Sequence, residues 1–131
     1  MSKLSCKCGG AIVDQSDHLS YKGRIFRDQH ADMIDKVASN IASYLEAKLS
    51  HNEQNWVRSH FGLEYEELGE DDSDIIHVLI TSLFAPGVAL DIYQCQRCQR
   101  IFIENRHKIN HFFPFAPETE DSIDILKVGE S

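Results

Sequence analysis

The sequence predicts an α+β fold: a small antiparallel β part drawn from both chain ends, with a helical insertion between them. Three observations predict it. The four cysteines fall into two close pairs near opposite ends, Cys6-Lys7-Cys8 and Cys95-Gln96-Arg97-Cys98. Each pair lies beside short, β-rich runs. The stretch between the pairs carries apolar residues at spacings of three and four, the period of an amphipathic helix. The expected organisation is a single domain over 1–131, with the β part in 1–27 and 88–117, the insertion in 28–87 packed against it, and an acidic tail over 118–131.

A tetrahedral structural zinc site needs four nitrogen or sulfur ligands, commonly supplied as two pairs on tight turns. Cys6, Cys8, Cys95 and Cys98 are that ligand set, so the expected fold is a split zinc ribbon whose Zn2+ clasps the two chain ends together. The second pair is the stronger signal, a C-x-x-C between Val88–Tyr93 and Ile101–Ile103. Cys6-x-Cys8 is tighter than the usual spacing, but Gly9 and Gly10 supply the positive φ angles a knuckle requires. Metal binding would also stabilise a ribbon too small to hold its strands by burial alone. Met1-Ser2-Lys3-Leu4-Ser5 lacks the apolar core of a secretory signal, so a cytoplasmic location is expected, where disulfides are disfavoured. A redox C-x-x-C would want a βαβ surrounding, which is absent from the pattern around Cys95.

Taken in order, Ala11-Ile12-Val13-Asp14 is a short strand candidate, and Leu19 to Arg27 a second with a break at Gly23. From Asp28 the period changes. Met33, Ile34, Val37, Ile41, Tyr44, Leu45 and Leu49 form one helix face, with Asp28 placed to cap the start. Asn52 can cap a shorter helix through Trp56, Val57, His60 and Phe61, stopped by Gly62. Leu63 to Asp72 is acidic, either a helical turn or a solvated loop. Asp71, Asp72 and Asp74 suit a helix N-terminus. Ile75, Ile76, Leu79, Ile80, Leu83 and Phe84 make the next helix apolar nearly all round and therefore central, until Pro86-Gly87 ends it. Ile76, Leu79, Ile80 and Leu83 are expected to bury against Val37, Ile41 and Leu45. Strands over 88–94 and 101–104 flank the second knuckle. Pro114 pushes a third, 109–115, to a sheet edge. In the tail, Ile123, Ile125, Leu126 and Val128 are the residues expected to dock.

The formal net charge is −8. Four thiolates and one dication would make it more negative by two, to about −10. Phosphate binding needs clustered Lys and Arg, so this balance argues against nucleic acid and suits a basic protein partner. Glu66, Glu67, Glu70, Asp71 and Asp72 are the expected partner-binding residues. A smaller basic cluster, Arg97, Arg100, Arg106 and Lys108, keeps a second reading open: a regulator acting with nucleic acid or the transcription machinery. The longest apolar run, Val78 to Ala85, is too short to cross a bilayer.

Enzyme signatures are missing. The seven histidines are scattered. No H-E-x-x-H, P-loop or G-x-G-x-x-G occurs, and a fully thiolate-ligated zinc leaves no open position for water. A non-enzyme is expected. Cys6-x-Cys8-Gly9-Gly10-x-Ile12-x-Asp14, then Leu19-Ser20-Tyr21-Lys22 and Asp28-Gln29, resembles the opening of a group of small, mostly uncharacterised bacterial proteins. In that group I-Y-x-C-x-x-C-G-R-x-x-I-E follows a helical middle, and here Ile92-Tyr93-Gln94-Cys95-Gln96-Arg97-Cys98-Gln99-Arg100-Ile101-Phe102-Ile103-Glu104 stands in its place. The resemblance covers the two ends, not the middle, and departs at Gln99, where glycine is usual, so a strained or reshaped knuckle is expected. It implies a zinc-ribbon-like fold. Some proteins of this kind look like immunity proteins, which implies a partner such as a basic toxin or nuclease.

Overall fold

The computed structural model describes residues 3–62 and 71–129. The chain is α+β and divides into two compact units, Met1–Ile25 with Ala89–Ser131, and Phe26–Val88. The acidic stretch 63–70, including Glu66, Glu67 and Glu70, lies outside the described residues.

The first unit holds two small sheets. Strands β1 (Lys3–Ser5) and β2 (Ala11–Val13) form an antiparallel hairpin with Leu4 opposite Ile12. Four further strands, β3 (Lys22–Phe26), β4 (Ala89–Gln94), β5 (Ile101–Glu104) and β6 (Phe112–Phe115), lie in the order β3-β4-β5-β6. β4 and β5 are antiparallel with Tyr93 opposite Phe102, and β5 and β6 are antiparallel with Phe102 opposite Pro114. Pro114 therefore sits on an edge strand, the place in a sheet where a missing N–H is tolerated. β1 has no counterpart in the sequence reading, because three residues carry too little alternation to announce a strand. Gly23 does not break β3. A Cβ there would lie 3.2 Å from Ile92 and 3.4 Å from Leu126, so the glycine permits the close approach of both side chains. The core consists of Cys6, Ile12, Tyr93, Cys95 and Phe102, with Leu4, Cys8, Tyr21, Cys98 and Phe112 packed around it. Two of the cysteines are thus core residues.

The second unit is helical: α1 (Asp32–Leu49), α2 (Glu53–Phe61) and α3 (Asp72–Thr81). Gly62, at φ 100°, follows the last residue of α2, as the sequence suggests. The caps differ from expectation. Asp28 begins a separate 3-10 turn, Asp28–His30, and α1 starts after Ala31 with no side-chain cap. Asn52 does precede α2, but its Oδ1 accepts from Asn55 Nδ2 instead of a backbone N–H. Tyr44, Ile75 and Leu79 are buried together, with Ile41, Trp56, Val57 and Phe61 against them. Trp56 stacks on His60 at 4.6 Å and meets the Tyr44 ring edge-on at 5.3 Å. Two residues of the expected core, Ile80 and Leu45, are not buried, and neither is Leu49 on the predicted apolar face of α1. Ile80 and Leu45 are each 44% exposed, and Leu49 is 84% exposed. The reason is helical geometry: Ile75 and Leu79 share one face, and Ile80 lies about 100° further round, away from it. Among the described residues no helix is long and apolar enough to cross a membrane.

Candidate metal centre

Both cysteine pairs sit on hairpin tips. In the first, Cys6 N–H donates to Gly10 O at 2.9 Å and Gly9 N–H returns to Cys6 O at 3.0 Å. This turn needs Gly9 at φ 93°, as the sequence suggests. Gly10 is needed for space. A Cβ there would lie 3.2 Å from Cys95 Sγ and 3.3 Å from Cys8 Sγ. In the second knuckle, Cys95 N–H donates to Arg100 O at 2.8 Å, and Gln99 N–H to Cys95 O at 2.8 Å. Gln99 is held at φ 68°, in the left-handed region where glycine would be unstrained. The expected strain at this departure from the glycine pattern is therefore present.

The two tips bring all four ligand atoms together. Every Sγ of Cys6, Cys8, Cys95 and Cys98 lies within 4.8 Å of the others, and the thiols are free. Two pairs cross between the knuckles, with Cys6 Sγ 3.4 Å from Cys98 Sγ and Cys8 Sγ 3.6 Å from Cys95 Sγ. A tetrahedron with metal–sulfur bonds of about 2.3 Å places its sulfurs roughly 3.8 Å apart. The set is thus close to the size a tetrahedral ion requires. Among the described residues no histidine or carboxylate joins it.

The electrostatics favour thiolate at one corner. Gly10 N–H points at Cys8 Sγ at 3.4 Å, and Arg100 Nη1 lies 3.3 Å from Cys98 Sγ. Burial works against ionisation of Cys98, but the Arg100 N–H, the Cys6 thiol and the Arg100 guanidinium outweigh it and lower the thiol to about 6. At Cys8 the Gly10 N–H favours thiolate, but burial and the three neighbouring thiols prevail and push it up to about 11. One proton leaves such a cluster readily, and later ones leave with difficulty beside charge already present. A bound dication would remove that penalty by stabilising every thiolate at once.

Two other features border the site. Asp14, just past β2, accepts from Lys22 Nζ at 2.5 Å and from the buried Tyr93 hydroxyl. Burial opposes its charge, but these two donors and the Lys22 ammonium hold the Asp14 carboxyl below the usual carboxylate range. Gln94, next to Cys95, is 1% exposed. Its Nε2 donates to Ser122 O at 2.7 Å and its Oε1 accepts from Ile125 N at 3.0 Å. Sequence reasoning missed this role, since glutamine carries no apolar signal. It expected four apolar tail residues to dock, yet Ile123, Ile125 and Val128 are 59%, 56% and 93% exposed.

The sequence-predicted partner residues have different surroundings. Asp71 is exposed before α3. Asp72 is half-buried: its Oδ1 accepts from Tyr44 OH at 2.6 Å and its Oδ2 pairs with Lys48 Nζ, tying α3 to α1. The chain's charge is also unevenly divided. Phe26–Val88 carries twelve Asp and Glu against four Lys and Arg, while the other unit carries nine of each, so the whole net charge of −8 belongs to the helical unit.

The chain belongs to the family described as Domain of unknown function (DUF8617), which matches residues 2–119. No curated protein and no solved structure matches it. Ser122 and Ile125, the tail residues held by Gln94, lie beyond the matched span.

Proposed function

We propose that the four cysteines bind one structural Zn2+ in a split zinc ribbon, and that the protein is a non-enzymatic interaction module whose acidic helical unit meets a basic protein partner. The observation that carries the metal reading is the convergence of four free thiol sulfurs from two hairpin tips. An all-thiolate set suits zinc over harder ions such as magnesium or calcium, and a filled coordination sphere suits structure over catalysis. Free thiols in this number also fit a reducing compartment such as the cytoplasm.

What supports the partner reading is the segregation of charge into the helical unit. A compact body with that excess would attract a basic surface over a distance set by the ionic strength. Together with the resemblance to immunity-type bacterial proteins, this favours neutralisation of a basic toxin or nuclease. A second reading has one observation in its favour. Without the tail, the β unit (1–25 and 89–117) carries eight Lys and Arg against four Asp and Glu, a balance a phosphate backbone would favour.

The test uses a basic partner recovered by pull-down from the native host, with stopped-flow association at low and high salt. Neutralising Glu66, Glu67, Glu70 and Asp71 together should slow association severalfold at low salt and leave the fold intact. Asp72 stays unaltered in this variant, because its carboxylate joins α1 to α3. Association insensitive to both salt and these charges would reject the acidic interface. Tight, salt-dependent binding to a DNA or RNA duplex by the wild-type chain would favour the second reading.

A further inference from the structure

We propose that the side-chain amides of Gln94 and Gln99 hold the C-terminal segment 122–126 as a lock on the second cysteine knuckle, so that tail docking and metal retention are coupled. The inference rests on reading the thiol cluster as a zinc site.

The two glutamines bracket the knuckle in sequence, one before Cys95 and one after Cys98. Both reach the same tail segment, and both bind its main chain. Gln94 uses each end of its amide, Nε2 to Ser122 O at 2.7 Å and Oε1 from Ile125 N at 3.0 Å. Its Nε2 also lies 3.3 Å from Gln99 O, inside the knuckle itself. Gln99 Oε1 accepts from Asp124 N at 3.4 Å, while its Nε2 donates to Gln96 O at 3.0 Å, a residue between the two ligands. Tail, amide and knuckle thus form one hydrogen-bonded unit.

This arrangement gives a reason for glutamine at the left-handed position. Glycine would relieve the backbone at φ 68° but would supply neither of those side-chain bonds. Burial points the same way. Gln94 is among the most enclosed side chains, and a buried amide deprived of partners is costly. If the tail leaves, Gln94 Oε1 loses its Ile125 donor and Nε2 keeps only the longer bond to Gln99 O. Leu126 adds an apolar pin, its side chain resting close over Gly23. Groups bonded directly to metal ligands commonly change affinity by about 10–100-fold when removed, and these amides act one step further out, through the backbone at Gln96 and Gln99, so the low end of that range is expected. The coupling must also be reciprocal: what the tail contributes to metal retention, the metal contributes to tail docking.

The experiment uses the full chain loaded with zinc. Ile125→Pro deletes the N–H that Gln94 accepts, and the Ile125 side chain is 56% exposed, so little packing is lost. Two quantities are read: amide hydrogen exchange over 120–129, and the rate of zinc transfer to a chromophoric chelator. The lock predicts faster tail exchange and zinc transfer about tenfold faster. Stripping zinc from the wild-type chain should in turn speed tail exchange. Gln99→Gly separates the lock from simple strain relief. The lock predicts faster zinc loss, and strain relief alone predicts slower or unchanged loss. A tail that stays protected in Ile125→Pro, or one that is released while zinc transfer is unchanged, overturns the lock and leaves the zinc site standing. A wild-type chain carrying no zinc overturns both.

Discussion

Gly10→Ala separates steric demand at the cluster from ordinary glycine effects. Gly10 has no positive φ, so alanine meets no backbone penalty there. Its new Cβ would lie 3.2 Å from Cys95 Sγ, 3.3 Å from Cys8 Sγ and 3.4 Å from Arg97 Cβ. None of these neighbours is the free end of a long side chain, and two are proposed ligands. Overpacking of this kind costs about 1–3 kcal/mol. If that strain falls on the metal-bound state, zinc affinity should drop by about 5–150-fold, since 1.4 kcal/mol is tenfold. Gly87→Ala is the control. Gly87 sits at φ 89°, and a Cβ at this position would meet nothing within 4 Å. It should lose about 1–2 kcal/mol through the backbone alone and leave zinc affinity unchanged. Chelator competition reads affinity, and near-ultraviolet circular dichroism during a thermal melt reads the fold. Unchanged affinity in Gly10→Ala, or an equal loss in Gly87→Ala, would refute the steric argument.

Leu79→Ala should destabilise the helical unit by about 2–5 kcal/mol, whereas Ile80→Ala, at a position 44% exposed, should cost far less, as read by Trp56 fluorescence in a denaturant titration. Equal costs would show that the face is misassigned. Asp14→Asn should destabilise the chain near neutral pH, because Lys22 and Tyr93 lower the folded-state pKa of Asp14. A lowered carboxyl stabilises the fold above the unfolded value of about 3.9 and loses that contribution as pH falls through the folded value. The gap between wild type and Asp14→Asn in thermal melts should therefore close below about pH 4. A gap that widens on acidification would contradict the assignment.

The α+β class is readable because its signals are periodic or compositional. The spacing of Val37, Ile41 and Tyr44 announces α1, and two cysteine pairs beside β-rich runs announce the hairpin tips that meet. What escapes the sequence depends on where a single side chain turns. Asp28 and Asn52 are good caps by type, but the first opens a 3-10 turn and the second bonds Asn55. Asp72 reads as one acid in a charged run, yet its carboxylate is claimed by Tyr44 and Lys48 on another helix. The tail misleads only in part: Leu126 docks over Gly23 by the apolar contact the sequence announces, whereas docking by the amides of Gln94 and Gln99 has no sequence signature. The all-round apolar pattern of α3 suggests a central helix. A helix with its buried residues on one side leaves Ile80 in solvent whatever its hydrophobicity.

The most direct measurement is elemental analysis of the chain purified without chelator, alongside Cys98→Ser. Four thiolates at tetrahedral separation predict about one zinc per wild-type chain. Cys98→Ser should lose the metal and destabilise the ribbon together, since binding and folding are coupled in small zinc sites. A wild-type chain that melts cooperatively with no zinc, or whose mass after alkylation shows Cys6–Cys98 and Cys8–Cys95 joined as disulfides, would contradict the account.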